Sequence, residues 1–179
     1  MERSVIIAGF GGQGVILAGK ILAQAGMDHG LEVTWLPSYG PEMRGGTANC
    51  TVVLSEEPVG SPIVDEPSAL IALNLPSLDK FEPIVVSGGT ILVNSSLVDR
   101  GVSRRDVRAF TLPLNALAAK VGSPRSLNMA ALGAYLKASG AIPLDVARQA
   151  MTHALESEGK GKTVAANVQA LEEGYNAVP

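Results

Sequence analysis

Short apolar runs separated by glycine- and proline-marked breaks fill the chain up to Thr111, and from Pro113 onward the apolar spacing lengthens to that of helices. The run Val5–Ala8 predicts a first strand. After the turn Gly9-Phe10-Gly11-Gly12-Gln13-Gly14, the stretch Val15–Ala25 places Val15, Ala18, Leu22 and Ala25 on one helical face, with Leu17 and Ile21 beside them. Gly30 is positioned to end that helix as a C′ glycine. Leu31–Leu36 predicts a second strand, so the opening forms a β–α–β unit, expected to be parallel and right-handed. The following stretch, Ser38–Gly46, is too short to hold a crossover helix. The next strand, Thr47–Leu54, should therefore run antiparallel to the second and make the sheet mixed.

Residues 55–66, rich in proline and glycine, read as a connection with one short extended piece at Ile63-Val64. Ala69–Leu73 predicts a buried strand, Pro76–Phe81 a short helix started by Asn74 or Pro76, and Thr90–Val93 and Val107–Thr111 two further strands. Four helices then follow: Leu114–Val121, Leu127–Ala138, Leu144–Leu155 and about Thr163–Gly174. Within the second of these, Asn128, Ala131, Leu132 and Tyr135 share a face, and an Asn at that place is commonly a cap or a packed polar residue. The expectation is an α/β fold with a mixed, mostly parallel sheet and a helical C-terminal third. No internal repeat or linker divides it, so residues 1–179 read as a single domain.

Composition sharpens this picture further. With 46% apolar and only 4% aromatic residues, the core must be built from Val, Ile, Leu and Ala, which suits a sheet covered by helices. A net charge of −3, with no basic run beyond Arg104-Arg105, argues against a nucleic-acid face, and the arginines of the turn Asp99–Asp106 read as a solvated surface rather than a phosphate patch. No apolar run is long enough to span a bilayer and the N-terminus leads straight into the first strand without a signal-peptide pattern, so no membrane is expected and the cytoplasm is the expected compartment. A positive mean hydropathy hints that other subunits cover part of the surface. The single cysteine, Cys50, rules out an internal disulfide or a cluster held by this chain's cysteines alone. Its place in an alternating run makes it a buried strand thiol, with a reactive thiol as the alternative. His29 and His153 are isolated from Cys50 and from each other, and neither reads as a metal ligand.

The candidate chemistry lies in the first glycine turn. A strand that turns sharply into a helix leaves backbone amides without partners at the positive end of the helix dipole, a setting that favours phosphate or carboxylate. Gly9, Gly11 and Gly14 fit the spacing of the dinucleotide fingerprint, with Gly12 and Gln13 between them. A purely structural turn built for close packing is the competing reading. Nicotinamide or flavin binding further requires an acid at the carboxyl end of the second strand to hold ribose hydroxyls, and that strand ends in Trp35-Leu36-Pro37 instead. The loop Ser38-Tyr39-Gly40-Pro41-Glu42-Met43-Arg44-Gly45-Gly46 leaves the same edge of the sheet, where ligands of open α/β folds gather. Its Arg44 and Glu42 can contribute to a site or simply pair with each other. Gly161-Lys162-Thr163 ends like a phosphate-binding loop, but Glu156 stands where that motif needs glycine and a helix precedes it.

The segments Gly9–Val15 (GFGGQGV), Ser38–Gly46 (SYGPEMRGG) and Gly122–Ala134 (GSPRSLNMAALGA) together resemble the gamma subunit of the 2-oxoacid:ferredoxin oxidoreductases, a unit equivalent to domain III of single-chain pyruvate:ferredoxin oxidoreductases. The likeness runs nearly end to end. It includes Asn74-Leu75-Pro76-Ser77, Asn94-Ser95-Ser96 and a closing pattern of Asn167, Ala170, Gly174 and Tyr175.

This resemblance implies a three-layer α/β/α fold and a subunit, not catalytic alone, of an enzyme that oxidatively decarboxylates a 2-oxoacid with coenzyme A and passes electrons to ferredoxin. The loop at 38–46 looks more like those of 2-oxoglutarate or branched-chain enzymes than of pyruvate ones, which points to 2-oxoglutarate. Thiamine diphosphate, Mg²⁺ and [4Fe-4S] clusters are then expected only in partner subunits: alpha, beta and a ferredoxin-like delta. Coenzyme A carries phosphates suited to the glycine turn. The expected contacts are Gly9, Gly11, Gly12, Gln13, Gly14, Ser38, Tyr39, Gly40, Pro41, Glu42, Arg44, Gly45 and Gly46, with Gln13 bonding either the ligand or its own loop and Asn128 bracing the site. Two rivals remain at this stage: an assembly subunit whose loops dock on partners, and a free-standing Rossmann-like nucleotide-binding protein.

Overall fold

The computed structural model describes residues 1–39 and 47–179. Strands β1 (Glu2–Phe10), β2 (Glu32–Tyr39), β3 (Thr47–Ser55), β4 (Ala69–Ala72), β5 (Thr90–Asn94) and β6 (Arg108–Leu112) form one sheet in the order β2-β3-β1-β4-β5-β6. The pairs β1–β4, β4–β5 and β5–β6 are parallel, whereas β3 is antiparallel to both β1 and β2. The mixed, mostly parallel sheet and the antiparallel return of the third strand are as expected. The opening β–α–β unit differs in one respect: β1 and β2 run the same way, but β3 lies between them. Burial explains the insertion. Cys50, Val52, Val53 and Leu54 of β3 are buried, while β2 has no buried position and takes the sheet edge.

Among the described residues, six helices follow the expected order: α1 (Val15–Asp28), α2 (Leu75–Phe81), α3 (Leu114–Lys120), α4 (Leu127–Ser139), α5 (Leu144–Ser157) and α6 (Val164–Ala177). Strand alternation sends Val5, Ile7, Ala69, Ile71 and Leu92 into one cluster with α1 and α3–α6. Ile6, Ala8, Leu70, Ala72, Ile91 and Val93 enter a smaller cluster with Leu78 of α2, Val85 and Val98. The result is an α/β/α sandwich with one thick and one thin outer layer. Every residue of α4 from Leu127 to Leu136 is buried, which is why its apolar and small residues follow no single face. Its crossing with α6 is close: a Cβ on Gly133 would come within 2.8 Å of the Leu171 carbonyl carbon, and one on Gly174 within 2.5 Å of that of Ala130.

The element ends follow local chemistry. Gly30, at φ +83°, donates to Met27 O while Leu31 N donates to Gly26 O, the paired bonds of a Schellman end to α1. Asn74 caps α2, its Oδ1 accepting from Ser77 N at 2.9 Å. Ile63-Val64 forms no strand, and Gly161–Thr163 is a single 3₁₀ turn leading into α6. Two of the arginines in the turn 99–106 are engaged: Arg100 pairs with Asp79 and Glu82, and Arg104 with Asp106. No helix among the described residues is long and apolar enough to cross a membrane.

Candidate functional site

Phe10, the last residue of β1, pairs with Thr47, and Tyr39, the last of β2, pairs with Ala48. The carboxyl ends of β1 and β2 and the start of β3 therefore share one rim, and the chain leaves for residues 40–46 and returns from them on that rim. Gly40, Pro41, Glu42, Arg44, Gly45 and Gly46, expected in the site from the sequence, lie outside the described residues.

Between β1 and α1 the backbone makes a tight turn in which Gln13 N donates to Phe10 O at 3.1 Å. Gly12 and Gly14 take φ of +91° and +74°, the left-handed region that glycine reaches without strain. Gly14 is the N-cap of α1 and has no side chain to close the helix end. Among the described residues, none accepts from the amides of Gly11, Gly12, Gly14, Val15, Ile16 or Leu17. These same six residues line one side of a cavity of about 340 Å³, and Phe10, Tyr39, Thr47 and Ala48 line the other. The described lining holds no charged side chain, so its polarity comes from peptide N–H groups and the positive end of α1, beside the exposed ring of Tyr39. It is equipped to hold an anion next to an apolar or aromatic group.

The sequence-expected residues divide into two sets. Gly11, Gly12, Gly14 and Tyr39 line the cavity, while Ser38 is exposed on β2 just below its rim. Gly9, Gln13 and Asn128 stand behind the turn. Of the two partners left open for Gln13, the structure shows its own loop: Oε1 accepts from Phe10 N at 2.6 Å, and Nε2 approaches Leu73 O at 3.5 Å. Asn128, 4% exposed, donates from Nδ2 to Gly14 O at 3.1 Å, while its Oδ1 accepts from Met129 N. Leu73 O also accepts from Asn94 Nδ2 at 3.2 Å, which ties the rim of β4 to that of β5. Thr47 and Ala48 escaped sequence reasoning because only strand register brings them to the cavity, and Phe10, Val15, Ile16 and Leu17, which adjoin the turn, were not among the expected contacts. Cys50 lies beneath the start of α1, its Sγ donating to Val15 O at 3.5 Å, and burial pushes its thiol up to about 12. That disfavours the thiolate needed for reactivity or metal ligation.

A family model described as pyruvate ferredoxin/flavodoxin oxidoreductase matches residues 4–177. The chain belongs to this family. Among curated members, the ketoisovalerate oxidoreductase subunit VorA of Methanothermobacter thermautotrophicus is 44% identical over 173 residues, covering 97% of this chain and 36% of VorA. The chain thus spans about a third of that relative's length. The 2-oxoglutarate synthase subunit KorC of Methanocaldococcus jannaschii is 34% identical over 178 residues, covering 98% of this chain and 93% of KorC. Among solved structures, the gamma subunit of a keto/oxoacid ferredoxin oxidoreductase from Geobacter sulfurreducens superposes with a TM-score of 0.84 at 29% identity, covering 98% of this chain and 97% of that one. The 2-oxoglutarate:ferredoxin oxidoreductase of Magnetococcus marinus, solved with 2-oxoglutarate, coenzyme A and succinyl-CoA bound, shares the fold: its TM-score is 0.87 at 24% identity, over 98% of this chain and 31% of that one. Several residues that carried the resemblance to the gamma subunit of the 2-oxoacid:ferredoxin oxidoreductases do structural work here. Asn74 caps α2, Asn94 ties two strand ends together, and Gly133 and Gly174 permit the α4–α6 crossing.

Proposed function

We propose that this chain serves as the gamma component of a 2-oxoacid:ferredoxin oxidoreductase and that its glycine turn holds a phosphate-bearing part of coenzyme A. One observation carries the reading: Gly11, Gly12 and Gly14 to Leu17, with their free amides and the N-terminus of α1, line a cavity on the rim from which residues 40–46, with Arg44, depart. A cavity of about 340 Å³ is at the lower end of ligand sites and suits one arm of coenzyme A rather than the whole molecule. Support also comes from the Magnetococcus marinus enzyme, which shares the fold and contains coenzyme A.

The chain binds rather than reacts. Thiamine diphosphate, Mg²⁺ and [4Fe-4S] clusters belong to alpha, beta and ferredoxin-like delta partners, and ferredoxin takes the electrons in the cytoplasm. The substrate is a 2-oxoacid of the 2-oxoglutarate or branched-chain class, consistent with the names of the KorC and VorA relatives. Replacing Arg44 by Ala in the assembled complex should raise KM for coenzyme A about tenfold, the worth of one charge-assisted contact, and spare ferredoxin reduction measured without coenzyme A. An unchanged coenzyme A dependence removes Arg44 from the site. Loss of copurifying partners instead would mark the loop as an assembly surface.

A further inference from the structure

Two of the three glycines in the Gly9, Gly11, Gly14 spacing have neighbours that a ligand-approach role does not explain. A Cβ on Gly9 would stand 2.5 Å from Gln13 Oε1, 3.0 Å from Leu73 Cβ and 3.2 Å from Val15 Cγ2. A Cβ on Gly14 would stand 2.7 Å from Asn128 Cγ, inside that side-chain amide. Both obstacles come from the protein's own carboxamides, on the side of the turn away from the cavity lining. Gln13 closes the turn from within by accepting from Phe10 N. Asn128 arrives from α4 and holds the carbonyl of Gly14, which also accepts from Ala18 N at 3.0 Å in the first turn of α1.

We infer that Gln13 and Asn128 are positioning residues: two carboxamide clasps that hold the free amides of Gly11, Gly12 and Gly14–Leu17 in place for the anion, with Gly9 and Gly14 kept free of side chains to admit them. This deepens the coenzyme A reading and rests on it for the identity of the anion. A clasp that satisfies backbone groups before the ligand arrives lowers the ordering cost of binding without touching the ligand. Asn128 also makes the site depend on α4, through a hydrogen bond between residues 114 positions apart.

The test uses the assembled complex and the variants Gln13→Ala, Asn128→Ala, Gly9→Ala and the pair Gly9→Ala with Gln13→Ala. Hydrogen exchange of the bonded amides of Phe10, Gln13 and Ala18 without coenzyme A should accelerate about tenfold or more in the Gln13 and Asn128 variants, with the slowest-exchanging core strands unchanged. Coenzyme A should show a KM raised severalfold, with kcat at saturation within about twofold. Gly9→Ala should be damaging in the natural background and less so once Gln13 is Ala, because the 2.5 Å contact with Oε1 is gone while those with Leu73 Cβ and Val15 Cγ2 remain. Additive effects of Gly9→Ala and Gln13→Ala, or unchanged exchange in the ligand-free variants, overturn the clasps. The coenzyme A reading fails separately if the wild-type complex shows no coenzyme A-dependent protection at residues 10–17. The ligand-free exchange and the Gly9–Gln13 coupling decide the clasps in either case.

Discussion

Cys50 shows how a residue's surroundings set its chemistry. It is fully buried against α1, close enough that a Cβ on Gly19 would overlap its sulfur, and its thiol is pushed up to about 12. At pH 8 roughly one thiol in ten thousand would be ionised. The folded protein should therefore resist iodoacetamide at pH 8 and take up one label per chain only in denaturant. Rapid labelling of the native chain would revive the reactive-thiol alternative. Alternation along β3 was enough to place Cys50 inside from the sequence. Nothing local announced that Gly19 is there to admit it, because that contact is made between elements.

Two elements carry expectations of their own. The α4–α6 crossing brings backbone to backbone, so Gly133→Ala or Gly174→Ala cannot be absorbed by a side-chain rotation and the helices must separate. Each should destabilise the chain by about 3 kcal/mol, at the upper end of overpacking costs, measured by denaturant unfolding; a change under about 0.5 kcal/mol, the scatter of ordinary surface substitutions, would contradict the crossing. The other element is the turn 99–106, held by Glu82. Burial alone would raise the Glu82 pKa, but hydrogen bonds from the Ser103 hydroxyl, from Arg100 and from the amides of Ser103 and Arg104 outweigh it and hold the carboxyl below its usual range. Asp106 is lowered to about 2, chiefly by its bond with Arg104. Carboxyls lowered on folding contribute stability above their unfolded pKa, about 4, which is lost as pH falls through the folded values. The turn should thus open to proteolysis as pH drops below about 4, and Glu82→Gln should flatten that dependence while weakening the turn at pH 7. An identical acid profile for the variant would show that Glu82 does not hold the turn.

Across the whole molecule, the two hydrophobic clusters meet through β4, β5 and the Ser4–Gly9 stretch of β1, whose residues are buried on both faces. Native-state exchange should be slowest in these three strands and fastest in residues 56–68, which form no strand or helix and are mostly exposed; comparable protection in 56–68 would show that the connection belongs to the core. Much of the architecture was legible in the sequence. Apolar periodicity gave the six strands and six helices of the described residues in order, Gly30 marked the end of α1, Asn74 was one of two candidates for the start of α2, and the short stretch at 38–46 required an antiparallel return. Those signals are local, since hydrogen bonds and faces within one element repeat every two to four residues. Tertiary structure alone decided that β3 separates β1 from β2, that strand pairing sets Phe10 beside Thr47 on one side of the cavity, and that Gly9 and Gly14 make room for Gln13 and Asn128. These outcomes depend on which buried surfaces compete for the interior and on contacts between distant residues, and no spacing along the chain records that competition.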